Sequence, residues 1–206
     1  MARKYDASRR IALARKTREA ILETAFRLHG QGILDLESLA TEADVSVATI
    51  RKHFPTRELL FEGCTAFGLH SVTPPDLDSI SRIDDPADRA REAVRQVYTL
   101  HEALLGQVWV GFKFEDESPA MAAVIKQLEG IVAAAAEVIA AAWPARTGSG
   151  DAFRGFVSGM LSSLTYRALR VQAGLSPADA ASQVAEALVR AGESAPDTDE
   201  AAAAYR

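Results

Sequence analysis

Three times along the chain a capping side chain stands directly before a proline, at Asp85-Pro86, Ser118-Pro119 and Ser176-Pro177. A short oxygen-bearing side chain satisfies a free amide at a helix start, and proline at the first helical position gives up only an N–H that has no partner there. Each pair therefore predicts a helix start. Between them the sequence lacks the alternation of β-branched and polar residues that makes strands, and it lacks Asn-Gly or Asp-Gly hairpin turns. The expected fold is all-α, with about nine helices.

The remaining boundaries follow the same chemistry. Ile21, Leu22, Ala25, Phe26 and Leu28 recur at helical spacing, so a first helix is expected near 16 to 30, ended by Gly30-Gln31-Gly32. Asp35 caps a second helix through Leu39, Ala40 and Ala43. Ser46 caps a third through Ile50 and Phe54, stopped by Pro55, and Thr56 caps a fourth from Arg57 to Ser71. Thr73-Pro74-Pro75 ends that helix before an irregular segment. Further helices are expected at Gln107 to Phe114 and Asp151 to Ala173, the latter set apart by Arg146-Thr147-Gly148-Ser149-Gly150. The acidic, alanine-bearing tail from Glu193 is expected to be poorly ordered.

Charge divides the chain. Its 206 residues carry a net charge of −5, yet residues 1 to 57 hold eleven Lys/Arg against seven Asp/Glu, leaving +4 there and −9 on the rest. Arg3, Lys4, Arg9, Arg10, Arg15, Lys16 and Arg18 face only Asp6 in the first eighteen residues. Such a density repels itself unless a polyanion is near, and a solvated basic tail is the plainer account. With 48% apolar residues the chain can build a real core. The single cysteine, Cys64, excludes an internal disulfide and, with no zinc-type spacing, points to a reducing, cytoplasmic setting. Ile131 to Trp143, the longest nearly uncharged apolar stretch, is interrupted by Glu137 and too short to span a bilayer. The first residues do not read as an export signal.

The segment from Leu36 to Phe54 reads as helix, tight turn, helix. Leu39, Ala40, Ala43, Val45, Ile50 and Phe54 supply a small core, and Asp44 falls at a turn that needs a left-handed backbone. On a helix from Ser46 to Phe54, Ile50 and Phe54 share one face while Ala48, Thr49, Arg51 and Lys52 occupy the other. Arg and Lys reach guanine edges or phosphates, Thr49 can hydrogen-bond, and Ala48 or Val47 can meet a thymine methyl. Arg57, beside the free amides of the next helix, suits a phosphate. An ordinary helical hairpin with a solvated charged face is the competing reading.

Thr17-Arg18-Glu19-Ala20-Ile21-Leu22, followed by Leu39-Ala40, Val45-Ser46, Thr49-Ile50 and His53-Phe54-Pro55-Thr56-Arg57-Glu58-Leu59-Leu60, resembles the TetR family of bacterial transcription regulators. The resemblance implies an all-helical homodimer with an N-terminal three-helix DNA-binding domain and a larger C-terminal domain that binds a small effector and dimerises. It divides the chain into a basic arm (1–15), a helix-turn-helix domain (16–60), an effector and dimerisation domain (61–192) and an acidic tail (193–206). The DNA-facing set is then Ser46, Val47, Ala48, Thr49, Arg51, Lys52 and His53, with Arg57 at the usual phosphate-contacting position and Arg18 beside them. The chain departs from the family pattern in a short Gly32–Asp35 connection, in Asp44 for the common turn glycine, and in Arg51 where tyrosine is common. The last suggests an altered operator. From residue 73 onward the resemblance is architectural only.

Tyr98, His101, Leu105, Trp109, Phe112 and Phe114 concentrate large side chains on two adjacent helices, and Met121, Ile125 and Leu128 could close a pocket against them. Plain core is the alternative. Phe153, Phe156, Gly159, Met160 and Leu164, with Val184 and Leu188 on the last helix, suit a four-helix bundle between two subunits, against burial within one chain. No phosphate-binding loop, nucleophile elbow, zinc-protease or dinucleotide motif stands in the sequence, so no enzyme, metal or cofactor is expected. The expected partners are a palindromic DNA operator and a small effector, with no membrane, and the expected role is that of a ligand-responsive regulator, most simply a repressor. The rival is a helical interaction or carrier module whose basic arm binds RNA, membrane or an acidic partner.

Overall fold

The structure, a computed structural model, describes residues 2–143 and 150–194, with side chains from Ser8 and from Asp151 onward. The described residues are all-helical: eleven α-helices, with no strand among them. The two helices beyond the nine expected arise at two places. The segment after Pro75 forms a short helix capped by Asp76, and the helix expected from Asp151 to Ala173 is broken at Ser162. The first helix runs from Ala2, well before residue 16, so the basic arm is helical. The separator at 146–150 lies outside the described residues except for Gly150, and so does the tail except for Glu193 and Ser194.

The chain forms two compact units, residues 1–72 with 106–125, and residues 73–105 with 126–206. The division expected at residue 60 falls inside a helix. In the first unit, α1 (Ala2–Gly30) is followed by α2 (Leu36–Glu42), α3 (Val47–His53) and α4 (Arg57–Ser71). Their starts are held as their side chains dictate. Asp35 Oδ1 accepts from the Ser38 amide at 2.7 Å, Ser46 Oγ from that of Thr49 at 3.0 Å, and Thr56 Oγ1 from that of Leu59 at 3.2 Å. Asp44 takes φ 51, the left-handed turn between α2 and α3, a conformation that Asp tolerates better than most residues. Ile21, Leu22, Ala25, Leu28, Leu39, Ala40, Ile50, Phe54, Leu60 and Cys64 form one buried cluster. The same unit holds α7 (Leu105–Phe114) from Gly106 on, where a Cβ would run into the backbone carbonyl of Gly30. Gln107 Nε2 donates to the Phe26 carbonyl at 3.0 Å beside that contact.

The second unit is built on α6 (Pro86–Ala103), which packs chiefly along α11 (Pro177–Ser194). With α5 (Leu77–Ser81), most of α8 (Pro119–Ala140) and α9 (Gly150–Leu161), they enclose a core containing Val94, Val97, Tyr98, Ala135, Ala136, Ile139, Val157, Leu161, Tyr166 and Leu188. Alanine at 135 and 136, both wholly buried, lets helix backbones approach closely. All three Asp/Ser-Pro starts are used: the cap oxygens of Asp85, Ser118 and Ser176 accept from the amides of Asp88, Met121 and Asp179.

After the break, α10 (Ser163–Arg167) passes into a π-helical turn (Ala168–Gln172). Breaking a helix frees carbonyls that must find new donors when buried. Thr165 Oγ1 donates to Gly159 O at 2.7 Å, Tyr98 OH to Met160 O at 2.7 Å, and His101 Nε2 to Leu161 O at 2.8 Å. Glu102 completes the clamp, receiving Arg170 through both its oxygens and the Tyr166 hydroxyl at 2.7 Å. Two side chains expected around an effector thus have a structural task in α6.

Candidate nucleic-acid interface

A seven-residue helix has one buried face at most, and α3 places Ile50 there, fully inside the first unit's core. Phe54, its C-terminal cap, is buried beside it. The 3.6-residue period then turns Ala48, Arg51 and Lys52 outward, and all three are exposed. Ser46 is exposed at the cap. Thr49 is half-buried, its hydroxyl paired with that of Ser46 at 2.9 Å, and Val47 and His53 are half-buried as well. Among the described residues neither Arg51 nor Lys52 is in an ion pair. Both cations are therefore available to an outside anion.

Arg18 reaches this surface from α1. Its guanidinium lies 4.8 Å from the centre of the Phe54 ring, a cation–π contact that holds the charge beside the end of α3. Upstream, α1 is exposed on all sides from Ser8 to Lys16, including Ile11 and Leu13 at 71% and 65%, and Arg9, Arg10, Arg15 and Lys16 project from it. Arg15 stands only loosely near Glu19, at 3.7 Å.

Arg57 opens α4. Its guanidinium lies over the rings of Phe61 and Phe114, at 5.6 and 5.2 Å, and contacts Glu117 Oε2 at 3.1 Å. The adjacent Glu58 reaches the same turn and caps α8, accepting from Ser118 Oγ at 2.6 Å and the Ala120 amide at 2.7 Å. Neither glutamate was among the sequence candidates. No local period marks a contact spanning sixty residues; the only trace is that a cation and an anion each stand at a helix boundary.

The other candidates separate. Tyr98 and His101 sit in the second unit with ring centres 6.1 Å apart, and His101 Nδ1 has no partner. Burial lowers the His101 pKa and raises that of Tyr98, so both are neutral. Leu105, half-buried, and Leu128, buried, belong to that unit too. Trp109, exposed at 46%, Phe112, half-buried, and Met121, buried, belong to the first. Within the second unit an open groove of about 420 Å³ is lined by Arg95, Tyr98, Thr99, Glu102, Ala103, Pro177, Ala178 and Ala181. Tyr98 lines it, and so does Glu102, which with His101 is a polar candidate of the same stretch of sequence; His101 does not.

The expected subunit contact also divides. Phe153, Val184 and Leu188 are buried in the second unit's own core, Phe153 edge-on to Trp143 at 5.8 Å, and Met160 is half-buried against it. Phe156 and Leu164 are exposed at 42% and 50%, and a Cβ at Gly159 would meet open space. No helix among the described residues is long and apolar enough to cross a membrane, and no group of three metal-binding side chains is found among them. Family models, curated proteins and solved structures include no match to this chain.

Proposed function

We propose that the protein is a dimeric, ligand-responsive DNA-binding transcription regulator of the TetR type, acting as a repressor. The N-terminal unit uses α2 and α3 as a helix-turn-helix. The observation that carries the reading is the outer arc of α3, where Ala48, Arg51 and Lys52 stand exposed over a wholly buried Ile50 and both cations lack internal partners. Arg18, over the Phe54 ring at the end of α3, and Arg57, at the start of α4, add charge at positions suited to phosphates, and the helical basic arm precedes them.

In this reading α3 enters the major groove. Arg51 and Lys52 read base edges or adjacent phosphates, Ala48 and Val47 meet thymine methyls, and Ser46 and Thr49 contribute hydroxyls. One such short helix binds weakly, so a second copy one DNA turn away supplies the remaining affinity and makes the operator palindromic. An effector held by the C-terminal half favours a dimer whose α3 helices no longer match successive grooves, with α4 passing the change on. A hundredfold loss of operator affinity needs only about 2.7 kcal/mol of coupling.

Selection of bound sequences from randomised duplexes supplies an operator, against which the double variant Arg51→Ala, Lys52→Ala is compared at fixed salt. Two base contacts of about 1–3 kcal/mol each imply a loss of about thirtyfold or more. The oligomeric state should not change, because both side chains are exposed. Undiminished binding by the double variant overturns the assignment. Binding without any sequence preference favours the carrier or interaction module instead.

A further inference from the structure

At the first turn of α4 the Arg57 guanidinium makes a seat for an anion near the positive end of the helix, whose Leu59 amide is already capped by Thr56. That seat is filled from within. Glu117, at the turn between α7 and α8, brings Oε2 to 3.1 Å from Arg57 Nη2, while the guanidinium also lies over the Phe61 and Phe114 rings. A carboxylate and a phosphodiester present the same chemistry to arginine, two oxygens sharing one negative charge. An anion arriving at the same edge of the guanidinium meets the Glu117 charge a few ångströms away and is repelled by it.

The neighbouring contacts separate a fixed tie from an exchangeable one. Glu58 anchors the start of α8 through Ser118, which is buried, and through the Ala120 amide. The side chains of Arg57 and Glu117 are instead 56% and 61% exposed, so solvent ions reach their contact freely. Glu117 lies in the turn itself, with its amide donating to the Phe114 carbonyl at 3.0 Å, and its side chain can swing outward without disturbing a helix.

We infer that Glu117 is an internal substitute for a DNA phosphate: it holds Arg57 in the free protein and is displaced when a backbone phosphate takes its place. The inference rests on the DNA-binding reading and adds a regulatory contact to it. DNA binding then releases Glu117 from α4, and whatever strengthens the Arg57–Glu117 pair weakens DNA binding.

Phosphate contacts carry no sequence information, so the test needs no operator. The probe is a labelled duplex of mixed sequence, titrated at several salt concentrations with wild type, Glu117→Gln, Arg57→Ala, the double variant and Asp116→Asn. The last removes an adjacent charge that has no part in the pair. Glu117→Gln should bind roughly two- to fivefold more tightly than wild type at low salt, the range of an exposed ion pair. Asp116→Asn should gain distinctly less. Arg57→Ala should bind more weakly, flatten the salt dependence by about one phosphate contact, and erase the advantage of Glu117→Gln over Asp116→Asn. Equal gains from the two neutralisations, or an advantage that survives in the Arg57→Ala background, overturn the inference while leaving DNA binding intact. Failure of every protein, wild type included, to bind the duplex overturns the DNA-binding reading and this inference with it.

Discussion

Gly63 shows how one residue sets the spacing between α1 and α4. A Cβ there would stand 2.8 Å from Leu22 Cδ2 and 3.0 Å from the Phe54 ring. Leu22 can rotate away, but Phe54 is buried in the core and covered by Arg18. Gly63→Ala should therefore lower stability by about 1–3 kcal/mol in urea denaturation, the usual cost of overpacking. An unchanged midpoint would show that the two helices can separate freely. His29 is the first unit's other exacting residue. Buried edge-on to Phe61, it has its pKa lowered by desolvation to about 4. The unfolded chain takes up a proton near the ordinary value of about 6.5 while the folded chain refuses it, so stability is complete above that pH and is lost as pH falls toward 4. The full loss is about 3 kcal/mol at roughly 1.4 kcal/mol per tenfold change in proton affinity. His101 adds to it in the second unit, in the same direction. Urea midpoints followed from about pH 7 to about pH 5 should fall, and fall less in His29→Gln. A flat wild-type profile would mean that the buried rings accept a proton without opening the core.

Among the elements, α2 and α3 were the most legible, because each is a short helix with its cap, apolar face and terminator written within ten residues. Asp35, Ser46 and Thr56 all act locally, so no distant partner can move those boundaries. The helix expected from Asp151 to Ala173 shows the opposite case. Ser162 reads equally well as a small residue inside a helix and as a cap. Which it becomes depends on Tyr98 and His101, some sixty residues away, donating to the carbonyls of Met160 and Leu161. The two aromatic residues looked like pocket lining because the sequence reveals large amphipathic side chains but not the acceptors they meet. The Arg57–Glu117 pair was hidden for the same reason, since a surface arginine carries no sign of its distant partner.

At the scale of the whole molecule, the proposed function requires two chains. Phe156 and Leu164 remain exposed on α9 and α10, with open space at Gly155 and Gly159 that would let a second helix approach. Phe156→Glu with Leu164→Glu should convert a dimer to a monomer in sedimentation at unchanged helix content, since neither side chain is buried in the chain's own core. Operator affinity should fall with it. A wild-type protein that sediments as a monomer would remove the two-site mechanism, and a charged variant that stays dimeric would place the subunit contact elsewhere.

Local rules were enough for the all-helical class, the three proline-marked starts, the left-handed Asp44 and the outward arc of Ala48, Arg51 and Lys52, because caps, φ preferences and the 3.6-residue period act within a few residues. Tertiary structure alone decided that Phe153, Val184 and Leu188 lie in their own core, that the 151–173 segment breaks, and that Glu117 sits on Arg57. Those outcomes depend on which apolar face, carbonyl or carboxylate is brought near by a fold spanning the chain, and a side chain's own chemistry is compatible with several such neighbours.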